Sequence, residues 1–293
     1  MVERTAPIPA DLSPILLRTK VRRWRAAERL LSLPPDRQIL RCGDIGWLHP
    51  QPTLEWYKAF YGNCYGSHHD QMLVGERLTP RRLSYFDARL ARITRHLGRK
   101  PQNLLDVGAG EGLFLVAAHR AGIPAMGIEI SAKACRDATA RHGVRMIPGH
   151  LLQPDLPLKG GYDVVVMNHV FEHLLSPLEH LARVRALLSA NGLLVIEIPQ
   201  QFLNPIDLLY QLARYRRPFS PYSLHHPIFY TVSSILRVLK HADFRVEHLT
   251  TWLTGQVYLT QNPWIVGPLQ CLLWFADRLA KRGHIIEVFA TKK

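Results

Sequence analysis

One stretch of this chain limits its fold more tightly than any other: LLDVGAGEGLFL at residues 104–115, followed by GIEIS at 127–131. Leu104-Leu105-Asp106-Val107 is an apolar run of strand length, and it carries a carboxylate near its end. Three glycines follow at alternate positions: Gly108, Gly110 and Gly112. Lacking a Cβ, such a loop turns tightly and lets the backbone approach a ligand. Phe114, Val116, Ala117 and Ala121 have helical spacing, and Gly122 ends that helix. A second strand, 125–128, leads to Glu129. An acid at that place in a strand–helix–strand unit accepts hydrogen bonds from the two hydroxyls of a ribose. The spacing therefore predicts an adenosine-like ligand lying across the carboxyl ends of parallel strands.

The glycine spacing separates two kinds of ligand. A dinucleotide site takes G-x-G-x-x-G, with a helix N-terminus turned to the pyrophosphate. This chain has G-x-G-x-G behind an acid, with Leu113 at the place of the third dinucleotide glycine. An acidic strand end suits a ligand with positive charge better than a pyrophosphate. S-adenosyl-L-methionine carries a sulfonium and an ammonium. In these residues the sequence resembles the class I S-adenosylmethionine-dependent methyltransferases. The resemblance continues in order through GYDVVVMNHVFEHL at 161–174 and LLSANGLLVIEIPQ at 187–200. It is closest to the broad small-molecule subfamily with an EHL turn after the fourth strand, and it covers about residues 80–293.

The resemblance implies an α/β fold: a Rossmann-like seven-stranded sheet of order 3-2-1-4-5-7-6, helices on both faces, and a small N-terminal helical extension. Strands are expected at about 103–107, 125–129, 144–147, 162–167, 192–198, 245–252 and 284–291. The last is the expected antiparallel insertion. A long helix is expected over 69–98. Residues 1–79 are expected to form a basic extension and lid, and residues 80–293 the methyltransferase domain. The insertions at 200–230 and 255–282 are bulky; the second is amphipathic and suits a core, a dimer surface or a membrane-facing patch.

Charge is uneven. The chain of 293 residues has a net charge of +14, and residues 1–100 hold 18 Lys/Arg against 9 Asp/Glu. Arg18, Lys20, Arg22, Arg23, Arg25 and Arg29 fall in an expected helix over 14–31, with Leu16, Leu17, Val21, Trp24 and Leu30 between them. Such a helix can lie on an anionic membrane surface, bind an acidic partner or the phosphates of a nucleic acid, or simply pack on the main domain with its charges solvated. No apolar stretch is long enough to span a bilayer, and no secretory leader pattern opens the chain. Cys42, Cys64, Cys135 and Cys271 lack paired spacing and fit free thiols in a reducing compartment. A cytoplasmic protein with a peripheral membrane contact is the expectation. No metal is expected: Cys42 stands alone, with Ile45 where a C-x-x-C pair would finish, and His49, Cys64, His68 and His69 match no zinc spacing.

Position and resemblance together nominate the site. Asp106 is expected to orient the ammonium end of the cofactor, Gly108 and Gly110 to let the backbone close on it, Glu129 to bind the ribose, and Ile130 to pack on adenine. His150 and Leu151 follow the third strand beside the adenine, though His150 stands where a carboxylate is common. Asn168 ends the fourth strand, and His173 follows in the EHL turn. On the acceptor side, LHHPIFYT at 224–231 resembles an H-x-x-[FY]-[FY]-[ST] element. It makes His226, rather than His225, the candidate general base for a hydroxyl, or else a residue that fixes the lid, with Thr231 a helix N-cap.

The acceptor is expected to be a small-molecule, lipid-linked or saccharide hydroxyl. N- and C-methylation stay open. Nucleic acid is not expected. Adenine N-methylation goes with an Asn/Asp-Pro-Pro-aromatic loop, whereas this chain has Asn168-His169-Val170-Phe171. Cytosine C5 methylation needs a nucleophilic Cys, whereas this chain has Pro199-Gln200. The rivals are a nucleotide-cofactor oxidoreductase and a non-catalytic binding or scaffold protein that keeps the cofactor fold.

Overall fold

The computed structural model describes residues 8–16, 20–25, 28, 33, 35–64, 80–200, 226–252, 283 and 285–293. Along the chain they form β1 (Arg22–Arg23), β2 (Gln38–Cys42), β3 (Ile45–His49), α1 (Leu54–Cys64), α2 (Pro80–Leu97), β4 (Leu104–Val107), α3 (Leu113–Arg120), β5 (Ala125–Glu129), α4 (Ala132–His142), β6 (Met146–Pro148), β7 (Tyr162–Asn168), α5 (Pro177–Leu187), β8 (Leu188–Pro199), β9 (Ile228–Phe229), α6 (Val232–His241), β10 (Phe244–Trp252) and β11 (Ile285–Lys292).

Seven strands lie in the order β6-β5-β4-β7-β8-β11-β10. Numbered within the sheet this is 3-2-1-4-5-7-6, the expected order. The pairs β4–β5, β4–β7 and β5–β6 are parallel. A parallel strand covered on both faces is apolar along its whole length rather than alternating. β7 shows this: Val164, Val165, Val166 and Met167 are all fully buried. Each such side chain contributes about 1.5–3 kcal/mol relative to exposure. At the start of β7, Asp163 takes Arg99 Nη1 at 2.6 Å and the backbone N–H of Gln102 at 2.7 Å, which fixes the strand's entry.

Backbone contacts divide the chain into two compact units. One is Met1–Gln51 with Phe171–Leu178 and Ile196–Phe289; the other is Pro52–Val170 with Glu179–Val195 and Ala290–Lys293. The first contains a four-stranded sheet of order β1-β2-β3-β9. Its β2–β3 hairpin pairs Gln38 with His49 and Cys42 with Ile45. Gly43, at φ +61°, and Asp44 make the turn. The Asp44 carboxylate accepts bonds from Arg237, at 3.0 Å to Nη1, and from Ser233 and Thr231. Thr231 caps α6 in a reciprocal box with Ser234, the capping role its sequence position predicts.

The expected helix over 14–31 is corrected. Ala10–Ile15 form a 3-10 turn, and Arg22–Arg23 are a strand paired antiparallel with Leu40 and Arg41. Beyond that strand, the Trp24 carbonyl accepts a helical bond from the Glu28 N–H at 3.2 Å, and residues 17–19, 26–27 and 29–31 of the expected helix lie outside the described residues. The cause is tertiary. The Trp24 N–H donates to the Ile39 carbonyl at 2.7 Å, and Glu28 Oε1 accepts from Arg23 and from the Ile39 N–H. Ladder and carboxylate bonds to β2 outweigh a helical pattern whose intrinsic preference is small. Asp11 caps α5 instead, accepting from the Leu178 N–H at 2.6 Å.

The helix expected over 69–98 is α2 over Pro80–Leu97; its earlier part lies outside the described residues, as do 201–225 and 253–282 of the two insertions. No helix among the described residues is long and apolar enough to cross a membrane.

Candidate functional site

The glycine loop is held from below. Gly108 and Ala109 donate their backbone N–H groups to the Ile128 carbonyl at 2.8 and 3.0 Å. Gly110 donates to Oε2 of Glu129 at 3.0 Å, and Ser131 donates to Oε1 at 3.0 Å. Ser131 also caps α4 through its hydroxyl. Gly108 requires its lack of a side chain twice over: its φ is +71°, and a Cβ there would lie 2.3 Å from Val170 Cγ2. Gly127 in β5 is needed for space. A Cβ would meet Met146 Sδ at 2.6 Å and Ala109 Cβ at 2.7 Å, so the loop could not settle on the strand.

Parallel register places the other nominated residues of this unit. Val107 stands beside Met167, so Asn168 falls one residue past that pair, level with Gly108. Glu129 stands beside Pro148, and the Gly149 N–H donates to the Glu129 carbonyl at 2.9 Å. Asp106, Gly108, Gly110, Glu129, Ile130, His150, Leu151 and Asn168 thus all sit at the carboxyl edge of β4 to β7 or just beyond it. Leu151 is buried, and Ile130 and His150 are half-buried. Asn168 Oδ1 is buried with no hydrogen-bond partner among the described residues.

The electrostatics are those of a buried acid pair. Burial pushes the Asp106 carboxyl up to about 7; Arg89 pulls it down and Glu129 pushes it further up. Burial also raises Glu129, against the N–H groups of Ser131, Gly110 and Ile130. His150 is held below the usual imidazole range by burial and by Lys58. Arg89 is fully buried and donates to the Tyr85 hydroxyl at 3.0 Å. Sequence reasoning missed it. The available signal was an arginine among Phe86, Leu90 and Ile93, on the apolar stripe of a helix.

His173 groups differently. It belongs to the other unit, where its ring meets His226 edge to face, with centroids 4.5 Å apart. Glu172 joins them: one ligand-type atom from each of the three residues lies within 4.8 Å of the others. Glu172 and His226 are buried and His173 is half-buried. Glu172 and His173 come from the 3-10 turn Phe171–His173, and His226 from the approach to β9. Tyr230, missed as a site residue, is fully buried; its ring packs on Phe171 at 5.3 Å. Burial, Asp11 and Glu172 push its phenol well above the usual range. Two imidazoles and a carboxylate at this spacing can accept a proton from a hydroxyl or ligate a cation.

A family profile described as a methyltransferase domain matches residues 80–249. The tRNA U34 carboxymethyltransferase of Azotobacter vinelandii is 27% identical over 201 residues, which is 65% of this chain. Those residues span 62% of that relative's length. Among solved structures, a SAM-dependent methyltransferase from Archaeoglobus fulgidus superposes with a TM-score of 0.53 at 18% identity, over 78% of this chain and all of that one. The plantazolicin methyltransferase BamL, crystallised with a triazolic desmethylPZN analog and SAH, gives 0.54 at 15% identity, over 80% of this chain and 96% of that one. At these identities the superpositions speak for the fold.

Proposed function

This chain belongs to the methyltransferase-domain family, and we propose that it moves the methyl group of S-adenosylmethionine to a hydroxyl oxygen of a small-molecule, saccharide or lipid-linked acceptor. Bound S-adenosylmethionine supplies a methyl carbon made electrophilic by the adjacent sulfonium.

The residues fit that cofactor. The Glu129 carboxylate takes the Gly110 and Ser131 N–H groups, one on each oxygen, and the Ile130 N–H acts on it as well, which leaves acceptor capacity for a ribose hydroxyl. Asp106 would hold the ammonium end, whose charge would favour the ionised form of this raised carboxyl. Gly108, with φ +71° and Val170 against it, lets the loop turn at the strand end. Asn168 Oδ1 offers a buried acceptor that a ligand donor satisfies. Ile130, Leu151 and His150 line the adenine side. These groups bind and orient, and alignment of acceptor, carbon and sulfur is most of what methyl transfer needs.

The observation that carries the choice of oxygen is the meeting of His173 and His226 beside Glu172. A hydroxyl must lose its proton as it attacks, and His226 promotes that loss. His226→Ala is expected to cut turnover about 10²–10⁴-fold while cofactor affinity holds. The acceptor is sought by incubating host extract with methyl-labelled S-adenosylmethionine and locating the label by mass spectrometry. Label on nitrogen or carbon, or wild-type turnover by the His226 variant on the true acceptor, refutes the reading. RNA is the second reading, supported by the net charge of +14 and by the tRNA relative; label recovered in RNA would establish it.

A further inference from the structure

We propose that Glu172, His173 and His226 together hold one divalent transition-metal ion, and that the acceptor hydroxyl binds to that ion. The role given to the ion in the reaction rests on the O-methylation reading; the binding of the ion does not.

The spacing is close to that of three ligands on one ion. Ligand atoms about 2.0–2.2 Å from one ion lie about 3.4 Å apart at a tetrahedral angle and about 4.2 Å apart when opposite. The three candidate atoms already lie within 4.8 Å of one another, so small side-chain rotations bring them onto a common centre. The donor set selects the ion. Imidazole with carboxylate suits zinc, manganese or iron(II), whereas magnesium and calcium favour oxygen. Three protein ligands leave at least one position for a water or a substrate oxygen. Half-exposed His173 gives that position an open side between two buried partners.

Tyr230 supplies a second, independent observation. Its hydroxyl is fully buried and has no hydrogen-bond partner among the described residues, yet it lies within electrostatic reach of Glu172. The charges of Asp11 and Glu172 both act on it, and a buried phenol with no partner is satisfied by an oxygen bound beside it, to which it donates. A metal-bound water or acceptor hydroxyl is such an oxygen.

The ion changes how the proton leaves. A hydroxyl bound to a divalent ion is acidified, as bound water is. Its proton goes to solvent water, and the ion is neither oxidised nor reduced. The oxygen then forms a bond to the methyl carbon as the carbon–sulfur bond breaks, with the electron pair staying on sulfur. The products are the methyl ether, S-adenosylhomocysteine and one proton. His226 then acts as a ligand and promotes deprotonation through the ion.

The test uses the full chain after dialysis against a chelator. Titration with Co²⁺ alone, read by its visible ligand-field absorption, and equilibrium dialysis with Zn²⁺ alone are expected to give one ion per chain. Glu172→Gln, His173→Gln and His226→Gln should each weaken binding about 10-fold or more, while His142→Gln, on α4, should not. Absence of stoichiometric binding by the wild-type chain, or equal binding by the three variants and wild type, overturns the site. Should the variants at the two buried positions fail to fold, half-exposed His173→Gln carries the same comparison. S-adenosylmethionine binding is measured by calorimetry on the same samples. Metal binding without cofactor binding strikes the methyltransferase reading and spares the site; the reverse strikes only the site.

Discussion

The backbone N–H of Gly110 donates to Oε2 of Glu129 at 3.0 Å, so the middle of the glycine loop is tied to the end of the neighbouring strand. The same carboxylate takes the Ser131 N–H, at the first turn of the helix that follows. One acid thereby fixes the loop, the strand end and the helix entry before any ligand arrives.

Glu129→Ala is expected to weaken S-adenosylmethionine by about 1.5–3 kcal/mol, the scale of hydrogen bonds to a charged group. It should also lower the melting temperature, because the N–H groups of half-buried Gly110 and buried Ser131 lose their acceptor. Calorimetry that finds unchanged affinity in a folded variant removes Glu129 from ribose recognition.

Asp106 makes binding depend on pH. Its carboxyl sits at about 7 in the ligand-free protein, against an ordinary 3.8. A raised folded value means stability that is full below the ordinary carboxylate range and is lost as pH rises through about 7. The ligand-free chain should therefore melt at lower temperature at pH 8 than at pH 6. The ammonium of the cofactor favours the ionised form, so binding below about pH 7 should release a proton and affinity should climb with pH up to that value. Calorimetry in buffers of different ionisation enthalpy counts the proton. Persistence of the slope in Asp106→Asn would assign it to another group.

Gly108→Ala combines a left-handed backbone, costing about 1–2 kcal/mol, with a methyl group 2.3 Å from Val170. Cofactor binding should be lost or strongly reduced. Adding Val170→Ala should recover part of it, since the contact is relieved and the backbone strain is not. A double variant no better than the single one would make the dihedral the whole cause.

Asp44 gives a test of the unit that holds the four-stranded sheet. Burial pushes its carboxyl up, but hydrogen bonds from Arg237 and Ser233 more than offset this and hold it below the ordinary range. A lowered value means stability that is present above the ordinary carboxylate range and is lost as pH falls through the folded value. Asp44→Asn should cost about 1–3 kcal/mol near neutrality and flatten the acid limb of the denaturation profile. An unchanged acid limb would show that other carboxylates set it.

The basic N-terminal segment is tested with intact protein. If it docks on an anionic membrane, vesicles containing anionic lipid should retain the wild-type chain at low salt and release it as exposed charges are screened, beyond about 8 Å at physiological ionic strength. Arg22→Glu with Arg25→Glu, both exposed, should abolish retention. Equal partitioning of wild type and variant leaves those arginines as solvated charges.

The order of the seven strands came from the resemblance to the methyltransferases, while β4, β5 and β7 were legible in themselves as mostly apolar runs, with Asp106 and Glu129 near two of their ends. The cofactor side was legible for the same reason, since its residues are local to strand termini. Arg89 was not, because a guanidinium on an apolar stripe is indistinguishable in sequence from a solvated one. The segment at 22–23 was misread because its alternation of basic and apolar residues serves a helix or a strand equally well. Pairing with β2 settles the choice, and that pairing is a long-range fact. The cluster of Glu172, His173 and His226 was visible only as two separate motifs, because nothing in either indicates the other.

The pairing of Gly46 and Trp47 with Phe229 and Ile228 sets an order of events in synthesis. A ribosome has already released β4, β5, β6 and β7 as nascent chain before β9 exists. The hairpin of β2 and β3 must therefore wait, with one edge unpaired, for a partner encoded far downstream. Closing so long a loop is slow compared with local folding. His226 arrives with β9 only after those strands have been made, so the glycine loop should acquire protection from amide exchange before the histidine cluster does.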